Sequence, residues 1–156
     1  MKKLKKPTVH ALTSPFHKGL SRRIVTPVAI TNISTKETRF TEGIWDTGAT
    51  GSVITKSTAA ALGLPPIAKM RVRGVHGDRI VNAYYVNITL DNKNITLDAR
   101  VTECDELSAD NTLGMLIGMD IITMGDFVIT NYKGDTSMSF RIPSLQKIDF
   151  VKGAEQ

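Results

Sequence analysis

Gly43-Ile44-Trp45-Asp46-Thr47-Gly48-Ala49-Thr50-Gly51-Ser52-Val53-Ile54 joins two apolar stretches through a tight turn of small residues that carries one carboxylate. Gly48 has no Cβ, so the backbone there can approach another chain closely. The Gly48 and Ala49 amides can point back at the Asp46 carboxylate, and the Thr47 hydroxyl can hydrogen-bond sideways. A phosphate-cradling loop is the competing reading of Thr47-Gly48-Ala49-Thr50-Gly51. It lacks the Gly-Lys-Ser/Thr that a Walker A loop requires.

Outward from this turn the pattern is β. Ile24–Thr31, Glu37–Trp45, Ser52–Ile54, Ala68–Val75, Arg79–Leu90, Ile95–Thr102, Leu113–Ile117, Phe127–Asn131 and Thr136–Ile142 all read as strands. Pro27 predicts an edge or bulge, because proline donates no ladder hydrogen bond. Thr55–Gly63 reads as a short helix, capped by Thr55 or Ser57 and stopped by Gly63 and Pro65-Pro66. Asp120–Met124 reads as a helical turn. Hairpins are expected at His76-Gly77-Asp78 and across Tyr132–Asp135. The expected class is all-β, a closed or strongly curled barrel with one or two short helices.

Two ordered motifs carry a family resemblance. Trp45-Asp46-Thr47-Gly48-Ala49, followed by Ser52-Val53-Ile54, resembles the catalytic loop of the retropepsin-like aspartic proteases. Leu116-Ile117-Gly118-Met119-Asp120-Ile121-Ile122, about seventy residues on, resembles the family's apolar-apolar-Gly signature before a C-terminal helix. Met119-Asp120 and Leu62-Gly63-Leu64-Pro65 look more like its bacterial and cellular branch than its retroviral one.

The resemblance implies a retropepsin-like barrel over Arg23 to Ile142, active as a two-fold homodimer, and an aspartic endopeptidase. Only one Asp-Thr-Gly is present, and Asp78, Asp120 and Asp126 lack the motif. Each subunit would therefore supply one Asp46 at the axis, with Thr47 bracing the two loops and Gly48 completing the turn. Two carboxylates about 3 Å apart share a proton, one acting on water as base and the other as acid. Ile117 and Gly118 would support the turn. Ala49 and the hairpin tip at Val75, His76 and Gly77 would contact a peptide or protein substrate, the hairpin standing where the family's flap stands. No metal or organic cofactor is implied. Ala49 has no hydroxyl to donate to Asp46, which predicts activity nearer neutral than strongly acidic pH. The alternative is a non-catalytic module of the same fold that binds peptide or assembles a larger complex.

Charge and cysteine content narrow the class further. The 156 residues carry a net charge of +5, but residues 1–23 hold 7 of the 20 basic residues and no acidic one. The remainder has 13 basic and 15 acidic residues, so the body is slightly acidic. Residues 1–22 read as a basic, flexible arm, 23–145 as the protease domain and 146–156 as a polar tail. Nucleic acid is not expected as a partner except through the basic residues of 1–23. One cysteine, Cys104, and three scattered histidines give neither an intrachain disulfide nor a zinc site. No apolar run approaches the roughly 20 residues that span a bilayer. Met1-Lys2-Lys3 is not followed by an apolar signal core, so a cytoplasmic protein is expected.

Overall fold

The structure is a computed structural model that describes residues 8–14, 18–74 and 77–153. Ten strands and three short helices follow one another among them. They are β1 (His10–Thr13), β2 (Ile24–Asn32), β3 (Thr38–Trp45), β4 (Val53–Thr55), α1 (Lys56–Ala61), β5 (Ala68–Gly74), β6 (Gly77–Leu90), β7 (Thr96–Cys104), β8 (Leu113–Ile117), α2 (Met119–Ile122), β9 (Asp126–Tyr132), β10 (Asp135–Ile142) and α3 (Phe150–Gly153).

Six of these strands, in the order β2-β3-β8-β4-β7-β6, close into a barrel through a β2–β6 pairing. The expected all-β class and closed barrel are therefore observed. β3 and β8 run parallel, as do β4 and β7. Alternation along β6 explains the core. Tyr84, Val86, Ile88 and Leu90 are buried while Tyr85 is exposed, which is the period-2 pattern of a sheet with one face inward. Ile30, Ile54, Val101, Met115 and Ile117 fill the same interior at 0% exposure.

Pro27 lies where β2 has a neighbour on one side only. It faces Glu42 of β3, and pairing with β6 begins at the next residue, Val28. Beyond the barrel wall, the first half of β6 pairs with β5 as a projecting hairpin whose last pair is Gly74 with Gly77. Gly77 and Asp78, expected in the turn, thus belong to the strand. In α1 the Thr55 hydroxyl accepts from the Thr58 amide, so Thr55 rather than Ser57 is the cap. Gly63 has φ +56°, as its helix-ending role requires.

Two readings of the chain ends need correction. The expected arm contains β1, which pairs with β10 and places Leu12 opposite Phe140, only 5% exposed. Four residues are too few to show a period, and the flanking Pro7 and Pro15 read as breakers rather than as the limits of a short edge strand. The described part of the 146–156 tail is not polar throughout either: it carries exposed Ile148, Phe150 and Val151, the last two in the single turn of α3.

β1, β10 and β9 form a second, three-stranded sheet. It meets the barrel at Trp45, whose ring stacks on Phe127 with centroids 5.4 Å apart and contacts Phe140 at 5.1 Å. Among the described residues no helix is long and apolar enough to cross a membrane.

Candidate active site

Asp46 is the first residue after β3, and its position follows from the two parallel strands beside it. The Asp46 amide donates to the Ile117 carbonyl at 2.9 Å, continuing the β3–β8 ladder by one rung. One residue earlier, the Trp45 indole N–H donates to the buried Thr26 hydroxyl at 3.0 Å. The carboxylate is therefore carried at the end of a strand fixed on both faces.

The turn then closes on itself. The Gly48 amide donates to Asp46 Oδ1 at 2.8 Å, and the Ala49 amide donates to the Asp46 carbonyl at 3.3 Å. Asp46 and Ala49 are half-buried, whereas Thr47 and Gly48 are exposed. A cavity of about 260 Å³ opens beside Asp46 and Thr47, walled by Arg22, Arg23, Trp45, Phe127 and Ile129.

Gly118 sits beneath this turn. A Cβ there would lie 2.7 Å from the carbonyl carbon and oxygen of Gly51 and 3.1 Å from the Ala49 oxygen, so only glycine fits. The Met119 amide donates to that same Ala49 oxygen at 2.8 Å. The Ile117-Gly118 segment thus threads directly against the Asp46 loop.

A second pair, unassigned by the sequence pattern, ties the two segments together. Ser52 donates to Asp120 through its amide at 3.0 Å and its hydroxyl at 2.7 Å. The Ser52 hydroxyl oxygen in turn accepts from the Gly118 amide at 3.0 Å. Asp120 also accepts from the Ile121 amide at the start of α2. Its signal in the sequence is slight: one Ser and one Asp, each set in an apolar stretch. The other carboxylates without the motif are engaged as well. Asp78 pairs with Arg73 at 2.9 Å, and Asp126 with Arg141 at 2.7 Å.

The structure brings Asp46, Thr47, Gly48, Ala49, Ile117 and Gly118 into one cluster. Gly77 stands apart, at the end of the projecting hairpin. Val75 and His76 lie outside the described residues. Among the described residues no group of three or more His, Cys, Asp or Glu side chains is placed to hold a metal ion.

Comparison with known proteins bears on this arrangement. A sequence profile described as aspartyl protease matches residues 28–121, more than half of the chain. Among solved structures, a retropepsin-like aspartic protease from Rickettsia conorii superposes with a TM-score of 0.52 at 14% identity, covering 90% of this chain and 98% of that one. The EIAV protease complexed with the inhibitor HBY-793 gives a TM-score of 0.49 at 22% identity, over 68% of this chain and 90% of that one. The retroviral protease-like domain of Ddi1 from Leishmania major gives 0.45 at 18% identity, over 83% and 99%. The Rickettsia structure has the retropepsin fold, and this chain shares it. None of the curated proteins compared with the chain matches it.

Proposed function

The chain belongs to the aspartyl protease family, and from that premise we propose that it is an endopeptidase whose catalytic pair is Asp46 from each of two identical subunits. The observation that carries this reading is the aimed, accessible Asp46 carboxylate, held by the Gly48 amide on a turn whose outer residues are exposed. A single carboxylate cannot both deprotonate a water and protonate the carbonyl oxygen it attacks. Two that share one proton can do both. Asp78, Asp120 and Asp126 already serve structural partners, so none of them supplies the second group.

A symmetric dimer supplies it at the cost of one interface, and two-fold dimers are the commonest oligomers. Support comes from the exposure of Thr47 and from the β9 strand beside it, which among the described residues pairs only with β10 and leaves Ile129 exposed. An attacking water would lie between the two carboxylates. One Asp46 would take its proton while the other donates to the substrate carbonyl oxygen.

The test is Asp46→Asn. It should abolish cleavage of a denatured protein substrate while leaving the circular dichroism spectrum and sedimentation behaviour of the wild type. Cleavage that persists in the variant refutes the reading, and so does a wild type that stays monomeric in the presence of peptide.

A further inference from the structure

The outer strands of the two sheets differ in how their free edges are protected. β1 is only four residues long, and β5 carries Lys69, Arg71 and Arg73. Short length and charge are two of the ways by which a strand edge is kept from pairing with another chain. β9 has neither. Its seven residues, Asp126-Phe127-Val128-Ile129-Thr130-Asn131-Tyr132, include no lysine, arginine or proline, and they pair with β10 without a bulge. Ile129, Thr130, Asn131 and Tyr132 are all exposed. Among the described residues nothing pairs with the outer edge of β9.

The hydrogen bonds of β10 show which backbone groups of β9 face that edge. The Thr136 amide donates to the Gly19 carbonyl at 3.1 Å. The Met138 carbonyl accepts from the Ser14 amide at 2.8 Å, and the Met138 amide donates to the Ser14 hydroxyl at 3.0 Å. Thr136 and Met138 therefore turn their backbone groups away from β9. In an antiparallel ladder both members of such a pair turn away from each other. Their partners are Asn131 and Ile129, and Phe127 follows by alternation. The N–H and C=O groups of Phe127, Ile129 and Asn131 thus point out of the sheet edge. The Asn131 carbonyl also accepts from the Gly134 amide at 3.3 Å, and a carbonyl oxygen has a second lone pair.

We propose that β9 pairs antiparallel with β9 of a second copy of the chain, with Ile129 opposite the partner subunit's Ile129, and merges the two three-stranded sheets into one. The inference rests on the paired-Asp46 reading above and names the surface that brings the copies together. Antiparallel self-pairing has a two-fold axis normal to the sheet, so the same face of both copies stays on one side. Phe127, Ile129 and Asn131 share one face of β9 by the period of two, and they line the cavity that holds Asp46 and Thr47. The two Asp46 cavities therefore adjoin across the axis on a common face, an arrangement that an extended peptide added at the same edge would not supply. Centring on Ile129 pairs all seven residues and gives each outward-facing group a partner. It sets Asp126 opposite the partner subunit's Tyr132, so no like charges meet. A shift by one residue in one copy would set outward-facing groups against inward-facing ones.

The experiment is a single-cysteine scan of β9 in a Cys104→Ser background, read by non-reducing electrophoresis after mild oxidation. Facing residues of an antiparallel pair lie about 4.5–5.5 Å apart at Cα, within the disulfide range of about 4.4–6.8 Å. Ile129→Cys should cross-link to itself. Val128→Cys and Thr130→Cys should each stay uncross-linked alone and link to one another when the two proteins are mixed. Ile129→Pro is the second variant. The Ile129 amide is not used by β10, so the circular dichroism spectrum should match wild type. Sedimentation should show the dimer Kd raised at least 10-fold, because the variant removes both bonds on the axis. A wild-type dimer that Ile129→Pro leaves equally tight, or that Ile129→Cys does not cross-link, overturns the β9 interface and leaves the peptidase reading standing. A wild type that stays monomeric in the presence of peptide overturns that reading, and the interface with it.

Discussion

Ser52 and Asp120 are joined by two hydrogen bonds across 68 residues of sequence, and through the Ser52 hydroxyl that pair also holds the Gly118 amide. The start of β4, the start of α2 and the segment beneath Asp46 are thereby made one rigid piece. Bonds to a charged acceptor are worth about 1.5–3 kcal/mol each, and they are not additive within a network. Asp120→Ala should cost about 2–4 kcal/mol in urea unfolding and lower peptide cleavage at least tenfold. Asp120→Asn, which can keep one of the two bonds, should fall between. An alanine variant as active as the wild type would show that the pair does not position the turn.

Gly118→Ala tests the close passage under the Asp46 loop. The added methyl meets backbone atoms of Gly51, which cannot rotate away as a side chain could. Overpacking of this kind costs about 1–3 kcal/mol. Denaturant unfolding should show that loss, with activity falling further than stability because the backbone that yields belongs to the turn. A stability equal to wild type would mean that the two segments separate freely.

Asp126 links the second sheet to the residues that follow it. Its carboxylate accepts from the Leu145 amide at 2.9 Å, from the Ser144 hydroxyl and from Arg141 Nε at 2.7 Å. The Leu145 amide first, then Ser144 and Arg141, hold its carboxyl well below the ordinary aspartate value. An unfolded Asp titrates near 3.9. The stabilisation is therefore complete above that value and is lost as pH falls through the lower folded-state value. Asp126→Asn should melt below wild type at pH 7, and the gap should narrow on acidification to about pH 2. A gap that stays constant over this range would mean that the charge contributes nothing.

Cys104 is half-buried beside two carboxylates. Burial first, then the charges of Asp105 and Glu103, push its thiol up to about 11. Little thiolate exists near neutral pH, and thiolate is the reactive form. Ellman's reagent at pH 7.5 should label the folded protein far more slowly than the urea-unfolded chain. Equal rates would contradict this placement.

The parts of this molecule that were legible in the sequence are those written in consecutive residues. The Asp46 turn, the Ile117-Gly118 signature and the Thr55 cap each occupy a few neighbouring positions whose residue types have local reasons. The alternation of β6 is likewise visible over a single stretch. β1 was not legible, because Leu12 is buried through a strand pairing with β10, far along the chain. Nor was the Ser52–Asp120 pair, whose two residues stand 68 positions apart and are not unusual alone.

Trp45 is the only tryptophan in the chain, and it immediately precedes Asp46. Its ring is 6% exposed, stacked on Phe127 and hydrogen-bonded to Thr26. All indole emission from this protein therefore originates one residue from the carboxylate, at the seam between its two sheets. Departure of the β9–β10 sheet from the barrel would wet that ring and redden the spectrum, and a second subunit settling against the same cavity would alter its quenching. The native chain thus carries its own optical reporter of the Asp46 turn, with no label to introduce.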